Sequence, residues 1–267
     1  MKHSHPHGLI HDLRAIALSR RGMLRLLGGA AVVPIIGGCT SSNGGEVDAG
    51  TGDAAAGSGA CATIPQETGG PYPGDGTNGV NALTTSGIVR SDIRPSFGTA
   101  SGVADGVVLQ VTLTIVDVAA GCAPLSGRAV YIWHCDRSGN YSLYSPAVAS
   151  ENYLRGVQVT DASGQVTFTT VYPGCYSGRW PHIHFEIYPT LASATTGANA
   201  IRTSQLAMPS TASDPVYAST GYASSATNLS HITLASDNVF SDGAALETPE
   251  ISGSVAAGYA LALAVGV

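Results

Sequence analysis

Val107-Val108-Leu109-Gln110-Val111-Thr112-Leu113-Thr114-Ile115-Val116 is the stretch that decides the fold of this 267-residue chain. From Leu109 to Ile115 every second residue is large and apolar, and the residues between them are Gln or Thr. Successive side chains of an extended strand point to opposite faces. This period of two therefore predicts a strand with one buried face and one polar face.

Five further segments have the composition of strands. They are 128–133, 156–160, 165–170, 182–188 and 258–267. Asp161-Ala162-Ser163-Gly164 joins the second of them to the third and favours a tight turn, which predicts a hairpin. Helical periodicity is weak, and residues 190–230, rich in Ala, Ser and Thr, predict long loops. We expect an all-β chain, an antiparallel β-sandwich or sandwich-like barrel with long loops.

The amino-acid composition also favours an all-β fold, and the distribution of charge argues against some classes of partner. Hydrophobic residues make up 44% and charged residues 11% of the chain, and 34 residues are Gly, which suits strands and turns better than helices. The first 39 residues hold one of the eighteen acidic residues, Asp12, but five of the twelve basic ones: Lys2, Arg14, Arg20, Arg21 and Arg25. The remaining chain is acidic without a basic cluster, which argues against nucleic acid as a partner and against electrostatic docking on anionic lipid.

The N-terminus has the pattern of an export signal. Ser19-Arg20-Arg21-Gly22-Met23-Leu24-Arg25 resembles a twin-arginine motif and precedes an apolar run, Leu26 to Ile36, that is too short to span a bilayer. Ile36-Gly37-Gly38-Cys39 resembles a lipoprotein cleavage box. This predicts a signal over 1–39, a lipid on Cys39 and a periplasmic or cell-surface location; a buried N-terminal helix is the alternative. Residues 40–60, mostly Gly, Ala, Ser and Asp, predict a flexible tether to a folded domain over 61–267.

Four cysteines follow the leader: Cys61, Cys122, Cys135 and Cys175. No C-x-x-C pair is present, so a structural zinc site has little support, and disulfides are expected in an exported protein. A straight strand over 127–135 would hold Cys122 and Cys135 apart. Cys61 is therefore the more favourable partner for one of them, and the connectivity stays open.

The most informative stretch is Pro181-His182-Ile183-His184-Phe185-Glu186-Ile187. On a strand, His182 and His184 project from one face, whereas Ile183 and Phe185 point to the other. Half of the histidines after the leader lie in these three positions. The pair therefore indicates metal ligands; two incidental surface histidines are the alternative.

The neighbouring side chains decide which metal is expected. A third histidine would indicate zinc or copper and a nearby carboxylate ferrous iron, and His134 is a candidate third ligand. What surrounds the pair is tyrosine, in Tyr172-Pro173-Gly174-Cys175-Tyr176 and in Gly139-Asn140-Tyr141. A phenol has an ordinary pKa of about 10, so only a strongly charged metal such as Fe(III) holds it deprotonated. The alternative for any one of the eleven tyrosines is a packed ring.

These motifs together resemble the intradiol ring-cleavage dioxygenases, the family of the catechol and protocatechuate dioxygenases. The resemblance covers most of residues 61–210 and is specific in its order Tyr, Tyr, His-x-His. It runs through eight segments: Pro65–Tyr72, Arg90–Ile93, Gly127–Asp136, Gly139–Ser142, Tyr153–Gly156, Thr160–Asp161, Tyr172–Gly174 and Tyr176–Phe185.

The resemblance implies one Fe(III) held by four side chains. Tyr141 would be the permanent tyrosinate ligand and Tyr176 the one that dissociates and acts as a base, while His182 and His184 complete the set. The choice of Tyr141 over Tyr144, and of Tyr176 over Tyr172, rests on the family motifs.

Two further roles follow from the resemblance. Arg179 would be the cation that steadies anionic intermediates; a solvated surface charge is the alternative. Gln205 is similar in position to a glutamine of the family's oxygen pocket. The loop around Pro71 and Tyr72 would wall the substrate pocket or only seal the sandwich.

The implied reaction is cleavage of a catechol-type aromatic diol by O2 to a muconate-type diacid. The sequence departs from the family at Cys175, where a large aromatic is frequent, and in having a signal and tether where the catechol dioxygenases have a helical extension. These departures leave the pocket shape and the oligomeric state open. Two alternatives remain: an exported, non-enzymatic β-sandwich binding module, and a metal-binding but inactive relative.

Overall fold

The computed structural model describes residues 62–267. The strands in this part of the chain are β1 Val108–Asp117, β2 Ala123–Pro124, β3 Ala129–Trp133, β4 Arg155–Val159, β5 Gln165–Val171, β6 His182–Tyr188, β7 Arg202–Ala207, β8 Glu250–Ser254 and β9 Gly258–Gly266. The helices are α1 Ser210–Tyr217 and α2 Ala223–Leu229, and short 3-10 turns span Leu191–Ser193, Gly197–Asn199 and Phe240–Asp242.

The strands form two sheets. One has the order β2-β1-β9-β8, with β5 also paired to β1, and the other has the order β4-β3-β6-β7. Neighbouring strands are antiparallel except for the parallel pair β1 and β9. The expected all-β sandwich is confirmed.

The alternating face of β1 forms the centre of the core. Its four large apolar side chains are fully buried: Leu109, Val111, Leu113 and Ile115. The same cluster includes side chains from the opposite sheet: Val130, Ile132, Ile183, Phe185, Ile187 and Leu206. The sequence pattern therefore identifies the inner face of the first sheet correctly, because the two sheets bury these faces against each other.

Strand β6 is buried on both faces. Its residues Ile183 and Phe185 lie in the core between the sheets, whereas His182 and His184 lie on the outer face. A second apolar cluster packs on that outer face. It combines Tyr131, Trp133 and Tyr141, from β3 and the turn after it, with four residues from before β1: Ala82, Leu83, Ile88 and Phe97. The long segment ahead of β1 thus shields the histidine face from solvent.

Two expectations about connections are wrong. The turn at 161–164 forms, with the Asp161 amide donating to the Gln165 carbonyl at 3.0 Å, but β4 and β5 belong to different sheets. Each pairs with a strand earlier in the chain, β4 with β3 and β5 with β1. Residues 190–230 also contain more than loops: they include β7 and both α-helices.

The cysteines divide into two kinds. Cys122 is disulfide-bonded, whereas Cys135 and Cys175 are buried free thiols, so the expectation that disulfides predominate fails for these two. Cys61, the tether and the signal with Cys39 lie outside the described residues. No helix within residues 62–267 has the length and apolar character needed to cross a membrane.

Candidate metal centre

Two imidazoles lie side by side on the outer face of β6. Their Nε2 atoms are 3.1 Å apart, and each side chain is 2% exposed. The His182 Nδ1–H donates to the Trp180 carbonyl at 2.5 Å, which leaves the Nε2 lone pair of His182 directed into the site. The His184 ring stacks on Trp133 with ring centres 4.9 Å apart and planes within 3°. Burial and these contacts exclude the alternative of incidental surface histidines.

Two phenols reach the same point from different segments. The Tyr176 hydroxyl is 3.2 Å and the Tyr141 hydroxyl 3.5 Å from His182 Nε2. Tyr141 follows the turn after β3, and Tyr176 precedes β6 by six residues. The four predicted ligand atoms therefore converge, although their residues are spread over a long stretch of sequence.

The two tyrosines differ in exposure. Tyr141 is buried at 2% exposure, its ring packed between that of Tyr72, at 5.1 Å, and that of Tyr176, at 5.9 Å. Tyr176 is only partly buried. Tyr176 can thus swing toward solvent at a lower packing cost than Tyr141.

Burial sets the protonation states of this cluster. It raises the pKa of Tyr141 well above the usual value, and the neighbouring Tyr176 adds to the rise. It lowers the pKa values of His182 and His184 well below the usual value, with the Arg179 guanidinium contributing. The imidazoles are therefore neutral donors, and the Tyr141 phenol keeps its proton unless a strong positive charge displaces it.

The rival tyrosines and the third histidine are engaged elsewhere. The Tyr172 hydroxyl lies 2.8 Å from Ser213 Oγ, and the Tyr144 hydroxyl donates to Asn78 Oδ1 at 2.8 Å. His134 is bound between the Cys135 carbonyl, 2.8 Å from Nδ1, and the Thr170 hydroxyl, 2.7 Å from Nε2. None of the three supplies a further donor to the cluster.

The donor set fits a hard, highly charged metal ion. In residues 62–267 no group of three His, Cys, Asp or Glu side chains is placed to hold a metal, so a three-histidine or two-histidine-carboxylate site is not formed there. Two phenols and two neutral imidazoles converge in place of such a group. The buried Tyr141 phenol, which keeps its proton on its own, fits an ion that displaces this proton, which is the chemistry of Fe(III).

Arg179 and Gln205 lie beside the cluster and bind each other. The Arg179 Nη2 donates to Gln205 Oε1 at 2.7 Å, and Gln205 Nε2 donates to the Thr68 carbonyl at 2.8 Å. Arg179 is 5% exposed, which excludes the alternative of a solvated surface charge. Its Nε donates to Asp237 Oδ2 at 2.9 Å. Sequence reasoning missed Asp237, because it lies 58 residues away in a segment without a recognisable motif.

A second buried guanidinium holds the loop over the site. Arg155 donates to the carbonyls of Tyr72 and Pro73, at 2.9 and 2.7 Å, and to the Ser142 carbonyl at 3.0 Å. It thereby fixes the loop carrying Tyr72 against the residue that follows Tyr141. The motif Tyr153–Gly156 contains this arginine, but its role could not be found without the carbonyls that it binds.

The comparisons with known proteins point to the family that the sequence motifs resemble. A family model described as dioxygenase matches residues 94–196. Chlorocatechol 1,2-dioxygenase of Rhodococcus opacus is 36% identical over an 83-residue alignment that covers 24% of this chain and 32% of the relative. The chain thus matches about a third of the length of that curated relative.

A solved structure extends the likeness to nearly the whole described part. An intradiol ring-cleavage dioxygenase from Tetranychus urticae has 27% sequence identity and a TM-score of 0.59, covering 77% of this chain and 94% of that one. The resemblance deduced from the sequence motifs is confirmed by these matches. Asp237 lies outside the region that the family model matches.

Proposed function

For a chain related to the intradiol ring-cleavage dioxygenases in sequence and fold, we propose a non-haem, Fe(III)-dependent intradiol cleavage of a catechol-type aromatic by O2 to a muconate-type diacid. The observation that carries the proposal is the convergence of two phenols and two imidazoles on one buried point. Tyr141, Tyr176, His182 and His184 would hold the metal. Bound there, Fe(III) supplies Lewis acidity that withdraws electron density from a coordinated diol.

Tyr176 is the proposed base. Its oxygen faces the cluster, and it would be a phenolate while it holds the metal. Because the side chain is partly exposed, this phenolate could leave the site as a phenol, with a proton taken from the incoming diol. Tyr141 stays in place because the Tyr72 ring and the Arg155-bound segment enclose it. The unequal burial of the two tyrosines supports the unequal roles that the motifs imply.

Arg179 is the proposed electrostatic partner of the reacting diol. A buried guanidinium interacts more strongly with developing negative charge than a solvated one, because little water screens it. Gln205 Oε1 accepts from Arg179 Nη2 and so holds the guanidinium in one direction. Burial lowers the pKa values of the neighbouring imidazoles, and the Arg179 guanidinium adds to this effect, so that they remain available as neutral donors.

Two other functions compete with this proposal. An exported, non-enzymatic binding module would not need four donor atoms at one point. A metal-binding but inactive relative would need them and would still fail to consume O2. Activity therefore has to be measured separately from metal binding.

The test is O2 uptake by iron-loaded protein with catechol, hydroxyquinol and protocatechuate, together with ultraviolet detection of the diacid. We expect a visible tyrosinate-to-iron band in wild type, loss of iron in His184→Ala, and a fall in kcat of about 100-fold or more in Tyr176→Phe. Tyr172→Phe, which removes a hydroxyl bound to Ser213, is the matched control and should keep the wild-type kcat. Coloured protein that consumes no O2 would support the metal-binding but inactive relative. Colourless protein that takes up no iron would exclude both the dioxygenase and the inactive metal-binding relative.

The location of the chemistry is a second proposal, and it rests on the leader. The paired arginines Arg20 and Arg21 and the box ending at Cys39 support export and lipid attachment. The full chain should incorporate labelled fatty acid and sediment with membranes, and Cys39→Ser should do neither. Equal labelling of the two proteins would exclude acylation at Cys39.

A further inference from the structure

Asp237 is a fully buried carboxylate with four N–H donors around it. Its Oδ2 accepts from Arg179 Nε at 2.9 Å and from the Trp180 amide at 2.7 Å. Its Oδ1 accepts from the amides of Val239 and Phe240, at 2.8 and 3.2 Å. Two N–H donors to each oxygen fix the carboxylate in one orientation.

Both donors on Oδ2 belong to residues that reach the metal cluster. Arg179, bound to Asp237 by its Nε, also donates through its Nη2 to Gln205. The Trp180 carbonyl accepts a hydrogen bond from the Nδ1–H of His182. One oxygen atom thus connects the proposed electrostatic partner of the substrate with the orientation of a proposed metal ligand.

The negative charge of Asp237 balances the buried positive charge of Arg179. A guanidinium that is 5% exposed is costly to bury without a counter-ion, and Asp237 is the carboxylate that pairs with it. A long arginine side chain has many rotamers, and bonds at its Nε and Nη2 leave it one of them. The carboxylate therefore both balances and aims the cation.

We propose that Asp237 is a positioning residue of this site, which holds Arg179 toward the substrate and, through Trp180, holds His182 toward the metal. This inference rests on the proposed function and adds to it a residue outside the matched family region. The four hydrogen bonds of Asp237 go to none of the four proposed metal ligands; it acts through Arg179 and Trp180.

A purely structural role is the competing explanation. In that case Asp237 would serve only to accept from the amides of Val239 and Phe240 and would fasten the C-terminal segment to the sandwich. Such a role predicts lower stability with unchanged chemistry for each bound iron. A positioning role predicts altered chemistry in folded, iron-loaded protein.

The deciding experiment is a double-mutant cycle of Asp237→Asn and Arg179→Ala in the full chain. Asp237→Asn keeps the shape and removes the charge; we expect kcat per iron to fall by about 10-fold or more. The loss in the double variant should be smaller than the product of the two single losses, because both changes remove the same positioned cation; any loss beyond that of Arg179→Ala measures the arm through Trp180. Multiplicative losses, or a wild-type kcat in Asp237→Asn, would overturn the proposal.

Glu247→Gln provides the matched control. Glu247 is also a fully buried carboxylate near the C-terminus, and it accepts from Ser204 Oγ at 3.2 Å. This variant should lose stability but keep kcat per iron. If Asp237→Asn does not fold, Asp237→Ser, which retains a small acceptor, replaces it in the cycle.

A readout independent of turnover separates this proposal from the proposed function. The tyrosinate-to-iron band of the resting protein should shift in Asp237→Asn, since His182 loses the anchoring of Trp180, and should not shift in Glu247→Gln. Absence of O2 uptake by wild type would reject the proposed function while the spectral comparison still tests Asp237. An unshifted band in Asp237→Asn would reject the link to His182.

Discussion

Gln205 on β7 accepts a hydrogen bond from the Arg179 guanidinium at 2.7 Å, across 26 residues of sequence. Both residues are buried, and β7 pairs with β6 so that Gln205 lies opposite His184. The strand pairing therefore places the glutamine beside the histidine pair and lets it orient the Arg179 guanidinium.

Gln205→Leu tests this contact. The variant removes the acceptor for Arg179 and the donor to the Thr68 carbonyl, and it leaves a buried guanidinium bond unmade. We expect a loss of about 1–3 kcal/mol of unfolding free energy and about a 10-fold lower kcat. Urea denaturation and O2 uptake measure the two effects. Gln158→Leu, at a half-buried glutamine bound to the Thr167 carbonyl on the far edge, is the control, and equal kcat in both variants would contradict the assignment.

Arg155→Lys should destabilise the protein although it keeps the charge. The guanidinium donates to three backbone carbonyls and to the hydroxyls of Ser142 and Tyr131, and an ammonium cannot span this set. We expect a loss of about 3 kcal/mol or more in urea denaturation of the metal-free protein. Arg94→Lys, at a partly exposed arginine paired with Asp92, should stay within about 1 kcal/mol of wild type. Similar losses in the two variants would show that Arg155 does not clamp the loop.

Gly70→Ala should disturb the metal centre from the covering segment. A Cβ at this position would lie 3.3 Å from His184 Cε1, and φ is +67°. Gly98 has nearly the same φ, +69°, with nothing within 4 Å of an added Cβ. Both alanine variants bear a similar backbone cost of about 1 kcal/mol, so any additional effect of Gly70→Ala comes from His184. We expect weaker iron binding in Gly70→Ala alone, measured by competition with a chelator; equal affinities would reject the contact.

His134 should make stability depend on pH. Burial lowers the pKa of this neutral, doubly bound imidazole to about 4. Because the unfolded chain takes up a proton near its ordinary pKa of about 6.5 and the folded chain does not, stability is lost as pH falls from about 6.5 to about 4. This group contributes a slope of at most about 1.4 kcal/mol per pH unit, which His134→Gln should remove.

The measurement is urea denaturation of metal-free wild type, His134→Gln and the exposed-site control His231→Gln between pH 7.5 and 5.0. A pH slope in His134→Gln equal to that of wild type would contradict the prediction. His231→Gln shows how much any histidine replacement changes the slope by itself.

The sequence determined the features that depend on neighbours along one strand. The period of two in β1 predicted its buried face, and the spacing of His182 and His184 predicted that they share a face, because side-chain direction in a strand alternates locally. The motifs also selected Tyr141 and Tyr176 from eleven tyrosines, and the structure brings the hydroxyls of these two to the histidines.

Only the tertiary structure decided what lies next to what across the chain. It placed β4 and β5 in different sheets, and it brought Asp237 to Arg179 and the loop around Tyr72 to Arg155. No local sequence pattern predicts these contacts, because each joins distant segments that are brought together by the packing of the whole sandwich. The sequence therefore determined the strand that carries the histidine pair and the types of side chain around it, while the fold decided which charges and loops hold them in place.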